Sequence, residues 1–452
     1  MTDLINRLLA GCAALAVVLI LPTPGFAKGG GISLIRDAEI EETIRAYADP
    51  IFKVAGQEAA NIHVHLINDD RINAFVAPGL NMFINTGLLM QADRPNQVIG
   101  VIAHETGHIA GGHLVRIKDA VRNATIENIA CMLLGVGAAV ATNGGAAPLP
   151  TICSEIAKRG LLKYSRVQEA SADQAGMKFL DASEQSSRGM LEFFKKLEGQ
   201  EFLLSTNQDP YLRTHPLTTD RIDSVADHVA HSPYSDRPDL PAFIVMHQRM
   251  LAKLKGFLWP LGRVLQVYPE KKDMSVPGRY ARAIAYFRVS RLKESLELMD
   301  SLLKEAPDDP FFLEQKGQIL FQNGRLAEAL PLYQRAVDLR PRESLIRLEL
   351  GQLQIELEQD QYVRPAIENL QLAASGEPNN ATAWHFLAIA YGRGGDIGMS
   401  ALAKAEEAMA QGDPKEARAQ AQLALNRGLP DGSPGWIRAQ DILSRAQDIE
   451  DE

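Results

Sequence analysis

The segment from Val98 to His108 constrains this chain of 452 residues more than any other. It reads Val-Ile-Gly-Val-Ile-Ala-His-Glu-Thr-Gly-His, and its apolar run predicts a buried helix. His104 and His108 are four positions apart, so both imidazoles lie on one face of that helix, one turn apart. Buried imidazoles need polar partners, and a shared cation satisfies both. The segment therefore predicts a metal-binding helix in a core.

Glu105 completes the pattern H-E-x-x-H, which is the arrangement of a zinc hydrolase. In this arrangement His104 and His108 hold the metal, and the glutamate takes a proton from a metal-bound water. The alternative is a surface helix that carries two unrelated histidines. The apolar residues on both sides of the motif favour the metal site.

A second helical stretch, Ser165 to Gly176, carries the carboxylates Glu169 and Asp173 four positions apart. Two carboxylates on one helical face usually mark a solvated surface. Here the surrounding residues are small and apolar, which suits close packing against another helix, and the H-E-x-x-H site lacks a third ligand. We therefore predict that Glu169 is the third ligand. Asp173 would accept the spare N–H of a ligating histidine and so fix its tautomer.

Short strands precede the metal helix. An acid-rich helix is predicted from Ser33 to Val54, followed by strands at Ile62 to Leu66, Asn73 to Ala77 and Asn81 to Asn85. In many metalloproteases the edge of such a sheet holds the substrate backbone as an added strand.

Residues 1–27 have the pattern of an export signal. The basic Arg7 precedes an apolar run from Leu8 to Leu21, which is too short for an ordinary membrane span, and small residues allow cleavage after Ala27. A lipoprotein signal at Cys12 is the alternative, but most of the apolar run follows that cysteine. We therefore expect an exported, soluble chain. Its net charge of −9 argues against nucleic acid as the main partner.

An apolar helix is predicted from Ala120 to Ala141, with a turn at Asn143 and a returning helix from Pro150. We interpret this hairpin as buried or lid-forming, with peripheral membrane contact as the alternative. Cys131 and Cys153 are equidistant from residue 142, which adjoins the turn. In an oxidising compartment they form either a disulfide or two buried thiols, and both remain open.

From Gly278 onward the chain repeats, and Pro307, Pro341 and Pro378 close successive units. The small and aromatic residues of the second unit fall where a tetratricopeptide repeat places them: Gly317, Ala329, Tyr333 and Ala336. Stacked helix pairs of this kind form a concave surface for peptides or partner proteins. An amphipathic helix from Trp436 to Ile449 is expected to cap the stack.

The protease-like motifs resemble the Glu-ligand zinc endopeptidases that include HtpX and the CAAX prenyl protease. The resemblance rests on His-Glu-Thr-Gly-His, the later Glu-Ala-Ser-Ala-Asp, and upstream Asn73-Ala74-Phe75 and Asn85-Thr86-Gly87-Leu88-Leu89, and it covers roughly residues 35–230. With an export signal and repeats, and without those proteins' membrane spans, the chain is more similar to the periplasmic BepA-like proteases. The resemblance implies one zinc per chain and an α+β fold class: a mainly helical zincin-type domain with a small sheet, followed by an all-α solenoid.

The stretch Thr214-His215-Pro216, together with Arg221, looks like the His-Pro element of the same family. In proteins that this chain resembles, that histidine reaches the fourth position on the metal. His215 as a fourth ligand would displace the catalytic water and hold the enzyme off until substrate moves the loop. Arg221 would then stabilise the oxyanion. The alternative for His215 is an ordinary polar loop residue.

The resemblance implies an exported, periplasmic zinc endopeptidase that cleaves unfolded or misassembled outer-membrane proteins, with its repeats docked on the assembly machinery. A chaperone or scaffold with a mostly latent protease site is the second interpretation, although the intact Glu105 argues against a purely inactive one. A metal-storage protein would need more ligands. The expected segments are a signal (1–27), a protease domain (28–239), a linker helix and hinge (240–277), repeats (278–427) and a capping helix (428–452).

Overall fold

The computed structural model describes residues 33–113, 149–203, 211 and 215–451, and the side chains of 149–164 and 200–203 are not described. Three predictions lie outside the described residues: the export signal, the apolar helix from Ala120 to Ala141, and the pairing of Cys131 with Cys153.

A mixed four-stranded sheet begins the described chain, in the order β1-β2-β4-β3. Its strands are β1 (Leu34–Ile35), β2 (His63–Ile67), β3 (Ala74–Ala77) and β4 (Asn81–Asn85). Strand β2 runs parallel to β4, whereas β1 and β3 are antiparallel to their neighbours. All three predicted strands are present, within one residue of their predicted bounds.

The prediction of a helix from Ser33 was wrong at its start. Leu34 and Ile35 pair with β2 as strand β1, and the helix begins at Ala38. Asp37 sets this boundary because its side chain accepts a hydrogen bond from the backbone N–H of Ile40 and so caps the first turn.

The helices of the N-terminal part share one apolar core with the sheet, except the last, which packs in a neighbouring cluster. They are α1 (Ala38–Val54), the 3-10 turn Ala59–Asn61, α2 (Thr86–Gln91), α3 (Pro95–Ala110), α4 (Leu149–Ala182), α5 (Arg188–Leu203) and α6 (Thr219–His231). Every residue of α3 from Pro95 to His108 is buried, so the metal helix is surrounded by other elements. The predicted burial of this helix is confirmed.

The rest of the described chain is helical. Its elements are α7 (Pro241–Leu258), α8 (Leu261–Val267), α9 (Val276–Arg288), α10 (Leu292–Glu305), α11 (Pro310–Gln322), α12 (Leu326–Leu339), α13 (Ser344–Glu356), α14 (Asp360–Gly376), α15 (Ala381–Arg393), α16 (Ile397–Gln411), α17 (Pro414–Asn426) and α18 (Pro434–Asp451). From α9 onward, consecutive helices pack on each other as the repeats predict. The predicted fold class, α+β followed by an all-α solenoid, is confirmed. In the described ranges, no helix has both the length and the apolarity needed to cross a bilayer.

Helix α7 contacts both parts of the molecule. Met250 and Leu254 lie in the core of the N-terminal part, whereas Ala252 packs with Ala281 and Ala285 of α9. An ion-pair cluster on the same helix fixes the join. Lys253 is 1% exposed, and its Nζ lies 2.9 Å from Asp37, 3.5 Å from Glu39 and 3.4 Å from Glu314.

The Lys253 cluster joins the start of α1 to α11 of the solenoid. Burial disfavours the ammonium group, but the surrounding carboxylates outweigh it and raise the pKa of Lys253 well above its usual value. Arg249, one turn earlier, binds Glu39 at 2.6 Å and Asp309 at 2.5 Å. Charges buried this deeply are costly to leave unpaired, so the cluster holds the solenoid in one position on the protease part.

We expect Lys253→Met to destabilise the protein by about 3–5 kcal/mol, because the buried Glu314 and the half-buried Asp37 lose the ammonium group that they contact, whereas Glu39 keeps Arg249. Urea unfolding measures the change. The matched control is Lys293→Met, whose side chain is 85% exposed and which should change stability by less than about 0.5 kcal/mol. Equal unfolding midpoints for the two variants would contradict the structural role of Lys253.

Candidate metal centre

Four side chains converge in the core beside α3. Nε2 of His104 and Nε2 of His108 are 3.1 Å apart. Glu169, on α4, places Oε2 3.4 Å from His104 Nε2 and Oε1 3.3 Å from His108 Nε2. His215 places Nδ1 3.2 Å from Glu169 Oε2 and 3.3 Å from His104 Nε2. The structure thus brings together the four side chains that the sequence proposed as metal ligands.

Close contact between α3 and α4 makes this convergence geometrically feasible. A Cβ atom built on Gly107 would lie 2.6 Å from the carbonyl oxygen of Ala172 and 2.9 Å from its Cα. One turn further along α4, a Cβ atom built on Gly176 would lie 3.1 Å from the carbonyl carbon of Ala103, which is also a tight contact. Because the two backbones approach this closely, the short side chain of Glu169 reaches the histidines of α3.

The spacing of the donors fits a small cation. Ligand atoms around a tetrahedral zinc ion, with bonds of about 2.0–2.1 Å, are about 3.4 Å apart. Five distances between donor atoms of His104, His108, Glu169 and His215 run from 3.1 to 3.4 Å. All four residues are buried, and their ligand atoms lie within 4.8 Å of one another. Three imidazoles and one carboxylate form a donor set suited to a divalent transition metal.

Behind His104 lies a chain of buried polar groups. Nδ1 of His104 is 2.8 Å from Oδ1 of Asp173. Asp173 in turn accepts hydrogen bonds from Nε of Arg221 at 2.6 Å and from Nη2 at 2.8 Å. Nη1 of Arg221 is 3.0 Å from Glu169 and donates to the carbonyl oxygen of Pro216 at 2.9 Å. Arg221 therefore orients both carboxylates, and Asp173 holds the ring of His104 with Nε2 toward the other donors.

The pKa values follow from these contacts. Burial disfavours a charged His104, but hydrogen bonds to Asp173 and Glu169 outweigh it and raise the pKa of His104 to about 10. Burial lowers the pKa of His108 to about 4, so that ring is neutral with a lone pair to donate. Burial would raise the pKa of Glu169, yet hydrogen bonds from the histidines hold it far below its usual range. The positive charge of protonated His104 thus balances the negative charge of Glu169. A metal cation would compete with that proton for His104.

Glu105 differs from the other acids of the site. It is fully buried, and neither carboxylate oxygen has a hydrogen-bond partner within the described ranges. Nε2 of His215 lies 3.4 Å from Oε1 of Glu105. Burial raises the pKa of Glu105 above its usual value. Burying a carboxylate without hydrogen bonds costs folding free energy. The raised pKa that results makes Glu105 a better proton acceptor for a metal-bound water.

Tyr211 is buried against His215, with ring centroids 4.7 Å apart and planes 28° apart. The backbone N–H of His215 donates to the carbonyl oxygen of Tyr211 at 2.7 Å, so the two residues form one turn. Burial raises the pKa of Tyr211 well above its usual value, so the phenol stays neutral. Sequence reasoning did not select Tyr211, although its position four residues before His215 was a usable signal.

Sequence reasoning also missed His113, whose Nδ1 lies 3.0 Å from Nδ1 of His108. In a continuous helix, residues five positions apart point about 140° away from each other around the axis. The spacing of His108 and His113 alone therefore argues against a contact between their rings. The signal was the pair Gly111-Gly112, since glycine permits the chain reversal that a helix would prevent.

This fold and donor set define a metallopeptidase. Residues 35–229 match the model of Peptidase family M48, and residues 280–344 match a tetratricopeptide repeat. The chain therefore carries a family M48 peptidase domain followed by tetratricopeptide repeats, and it is a metalloendopeptidase.

Two of the relatives are similar to this chain along most of its length, and a third is similar over a shorter stretch. The beta-barrel assembly-enhancing protease of Yersinia pestis is 23% identical over 390 residues, which cover 82% of this chain and 76% of that protein. A putative beta-barrel assembly-enhancing protease of Vibrio cholerae is 27% identical over 381 residues, with 82% and 77% covered. The human mitochondrial metalloendopeptidase OMA1 is 27% identical over 173 residues, with 38% and 33% covered. The first two are similar to this chain across both parts.

We expect Gly107→Ala to weaken binding of a divalent metal, because the added methyl group meets the backbone of Ala172 and must push α4 and Glu169 away from α3. Overpacking of this kind also costs about 1–3 kcal/mol of stability. Titration of the metal-free protein with Co²⁺ measures the affinity. Gly199→Ala is the control, since open space surrounds that helical glycine. Equal Co²⁺ affinity in the two variants would show that the helix contact does not position Glu169.

Proposed function

We propose that this metalloendopeptidase uses one zinc ion per chain, is exported to the periplasm, and cleaves unfolded or misassembled outer-membrane proteins. The observation that carries the catalytic part is the convergence of His104, His108 and Glu169 beside the unpaired carboxylate of Glu105. The names of the relatives support the substrate class, since two of them are called beta-barrel assembly-enhancing proteases.

His104, His108 and Glu169 would hold the zinc ion, with Asp173 fixing the ring of His104. A bound zinc ion polarises the scissile carbonyl and lowers the pKa of water at the site. Glu105 accepts the proton of the attacking water and then delivers it to the leaving amine. Its burial supports this role, because the raised pKa of Glu105 brings the carboxylate closer to the range in which it both takes and gives a proton.

An extended peptide is the substrate form that the sheet supports. Among the residues that the structure describes, β3 is an edge strand of the sheet, paired with β4, and it contacts α3. A substrate segment added to the free edge of β3 would be held through its backbone, independently of its sequence. Recognition of this kind suits unfolded chains, because folded proteins keep their backbone groups paired.

The solenoid supports the proposal of protein partners. Its helices α9 to α17 form stacked pairs, which in repeat proteins present an extended binding surface. The relatives cover both the peptidase part and the repeats, so a docking role on the outer-membrane assembly machinery is the proposed use of this surface. Peripheral membrane contact by the segment after α3 remains part of the proposal.

His215 is proposed as a fourth ligand that holds the site closed. Its Nδ1 lies among the donor atoms, and its side chain is 6% exposed. Three protein ligands leave one zinc position for water, so a fourth ligand excludes the catalytic water. In this arrangement the guanidinium of Arg221 is engaged with Asp173 and Glu169. Its proposed second role, stabilising the oxyanion, requires the loop that carries His215 to move.

The closed site favours one further candidate function, a chaperone or scaffold for outer-membrane protein assembly with a mostly latent protease. Glu105 is 0% exposed and His215 faces it at 3.4 Å, so a peptide cannot reach the carboxylate in this arrangement. The two functions differ in whether the isolated protein hydrolyses peptide bonds.

Casein digestion by the purified protein distinguishes them. We expect the wild type to degrade unfolded casein and to hold one zinc ion per chain by elemental analysis. Glu105→Gln should keep the zinc and lose hydrolysis by a factor of about 10²–10⁴, because only the proton acceptor is removed. His104→Ala should lose the metal. A folded Glu105→Gln protein that is metal-free would refute this division of roles, and an inactive wild type would favour the scaffold.

We expect His215→Ala to retain zinc and to degrade casein faster than the wild type, because the closing ligand is removed. Zinc content and initial rates are measured together. His231→Ala, an exposed histidine on α6 with 76% of its side chain accessible, is the control and should match the wild type. An inactive His215→Ala that still binds zinc would assign His215 to transition-state stabilisation. Unchanged rate and zinc affinity would show that it does not coordinate.

A further inference from the structure

The two histidines of α3 have different partners behind their rings. Nδ1 of His104 faces the carboxylate of Asp173 at 2.8 Å. Nδ1 of His108 faces Nδ1 of a third histidine, His113, at 3.0 Å, with the rings nearly perpendicular at 81°. His113 is 5% exposed, so this contact is made in the interior.

The chain reverses direction to make that contact. Helix α3 ends at Ala110, and the N–H of Gly111 still bonds the carbonyl oxygen of Gly107. Gly112 then adopts φ +61°, a left-handed conformation that side chains other than glycine rarely accept. This turn returns His113 to the face of α3 that carries His108.

Gly111 provides the space for the ring of His113. A Cβ atom at residue 111 would lie 2.7 Å from Cδ2 of His113 and closer still to its Nε2. The backbone of Gly111 itself is ordinary, with φ −73° and ψ −10°. An alanine there is compatible with the backbone but displaces the imidazole. The imidazole of His113 can therefore occupy this position only because residue 111 has no side chain.

The direction of the hydrogen bond follows from the ligand geometry. Nε2 of His108 faces the other donor atoms, so a metal would take its lone pair there. The proton of a neutral His108 is then on Nδ1, which donates to Nδ1 of His113.

We propose that His113 is a positioning residue of the metal centre: it accepts the Nδ1 proton of His108 and holds that ring with Nε2 toward the metal. This proposal rests on the proposed function, since it requires His108 to be a ligand. A neutral imidazole behind His108 pushes less electron density onto its ligand than the carboxylate behind His104 does. With a metal bound, His104 would therefore be the stronger electron donor of the two histidine ligands.

The test compares metal-free full-length variants at one fixed pH. Zn²⁺ affinity is measured by competition with a chelator, and the visible spectrum of bound Co²⁺ reports the ligand geometry. His113→Phe keeps a ring but no acceptor, and it should weaken Zn²⁺ binding about 10–100-fold and shift the Co²⁺ bands. Gly111→Ala keeps His113 but displaces its ring, and it should change both readouts in the same direction. His113→Gln restores an acceptor and should recover most of the affinity.

His385→Phe is the matched control, because this histidine lies on α15 with 52% of its side chain exposed. Wild-type Zn²⁺ affinity and Co²⁺ spectrum in both His113→Phe and Gly111→Ala would overturn the proposal. If His113→Phe does not fold, Gly111→Ala and His113→Gln decide the question. A wild type that binds no Zn²⁺ would refute the proposed function and this proposal together. Zn²⁺ binding that depends on His104 but not on His113 would refute this proposal alone.

Discussion

The metal centre depends on the close approach of α3 and α4 at Gly107. With a side chain at that position, the carboxylate of Glu169 would move away from the two histidines of α3. The approach also carries Asp173 to the far ring nitrogen of His104. One backbone contact between helices that are distant in sequence therefore places a ligand and the group that orients another ligand. The small residues at this helix crossing therefore determine where the polar groups lie, in addition to allowing close packing.

Buried charge is used in the same way at two places in the molecule. In the metal centre, the guanidinium of Arg221 neutralises and orients Asp173 and Glu169. At the join with the solenoid, the ammonium of Lys253 does this for Asp37 and Glu314. In both cases one buried cation contacts more than one carboxylate, and at the join Arg249 adds a second cation that pairs with Glu39 and Asp309. The solenoid is thereby held on the protease part by directional contacts in addition to apolar packing.

Glu105 is the exception to this pattern, and its exceptional state has a chemical use. Its oxygens lack hydrogen bonds within the described residues, although nearby acids are fully satisfied. A hydrogen-bonded carboxylate would be a weak base, whereas an unpaired buried one has a raised pKa. The closed arrangement around His215 and Tyr211 keeps this group from solvent. The packing of α3, in which every residue from Pro95 to His108 is buried, offsets the free energy needed to bury Glu105.

Local sequence determined much of this protein. The four-residue spacing of His104 and His108, the paired carboxylates of α4 and the alternation of Ile62, Val64 and Leu66 each predict a local structure from periodicity alone. The H-E-x-x-H pattern with the paired carboxylates already predicted Glu169 as the third ligand, and the family resemblance added His215 and Arg221. The recurring prolines at spacings of 34 and 37 residues, with small and aromatic residues between them, predicted the solenoid. The predicted start of the first helix was wrong because Leu34 and Ile35 pair with β2, and this pairing overrides local helix propensity. Tertiary structure alone decided the contact of His113 with His108, the stacking of Tyr211 and the Lys253 cluster. These depend on a left-handed turn at Gly112 and on charges brought together from positions far apart in the chain, and no local periodicity encodes either.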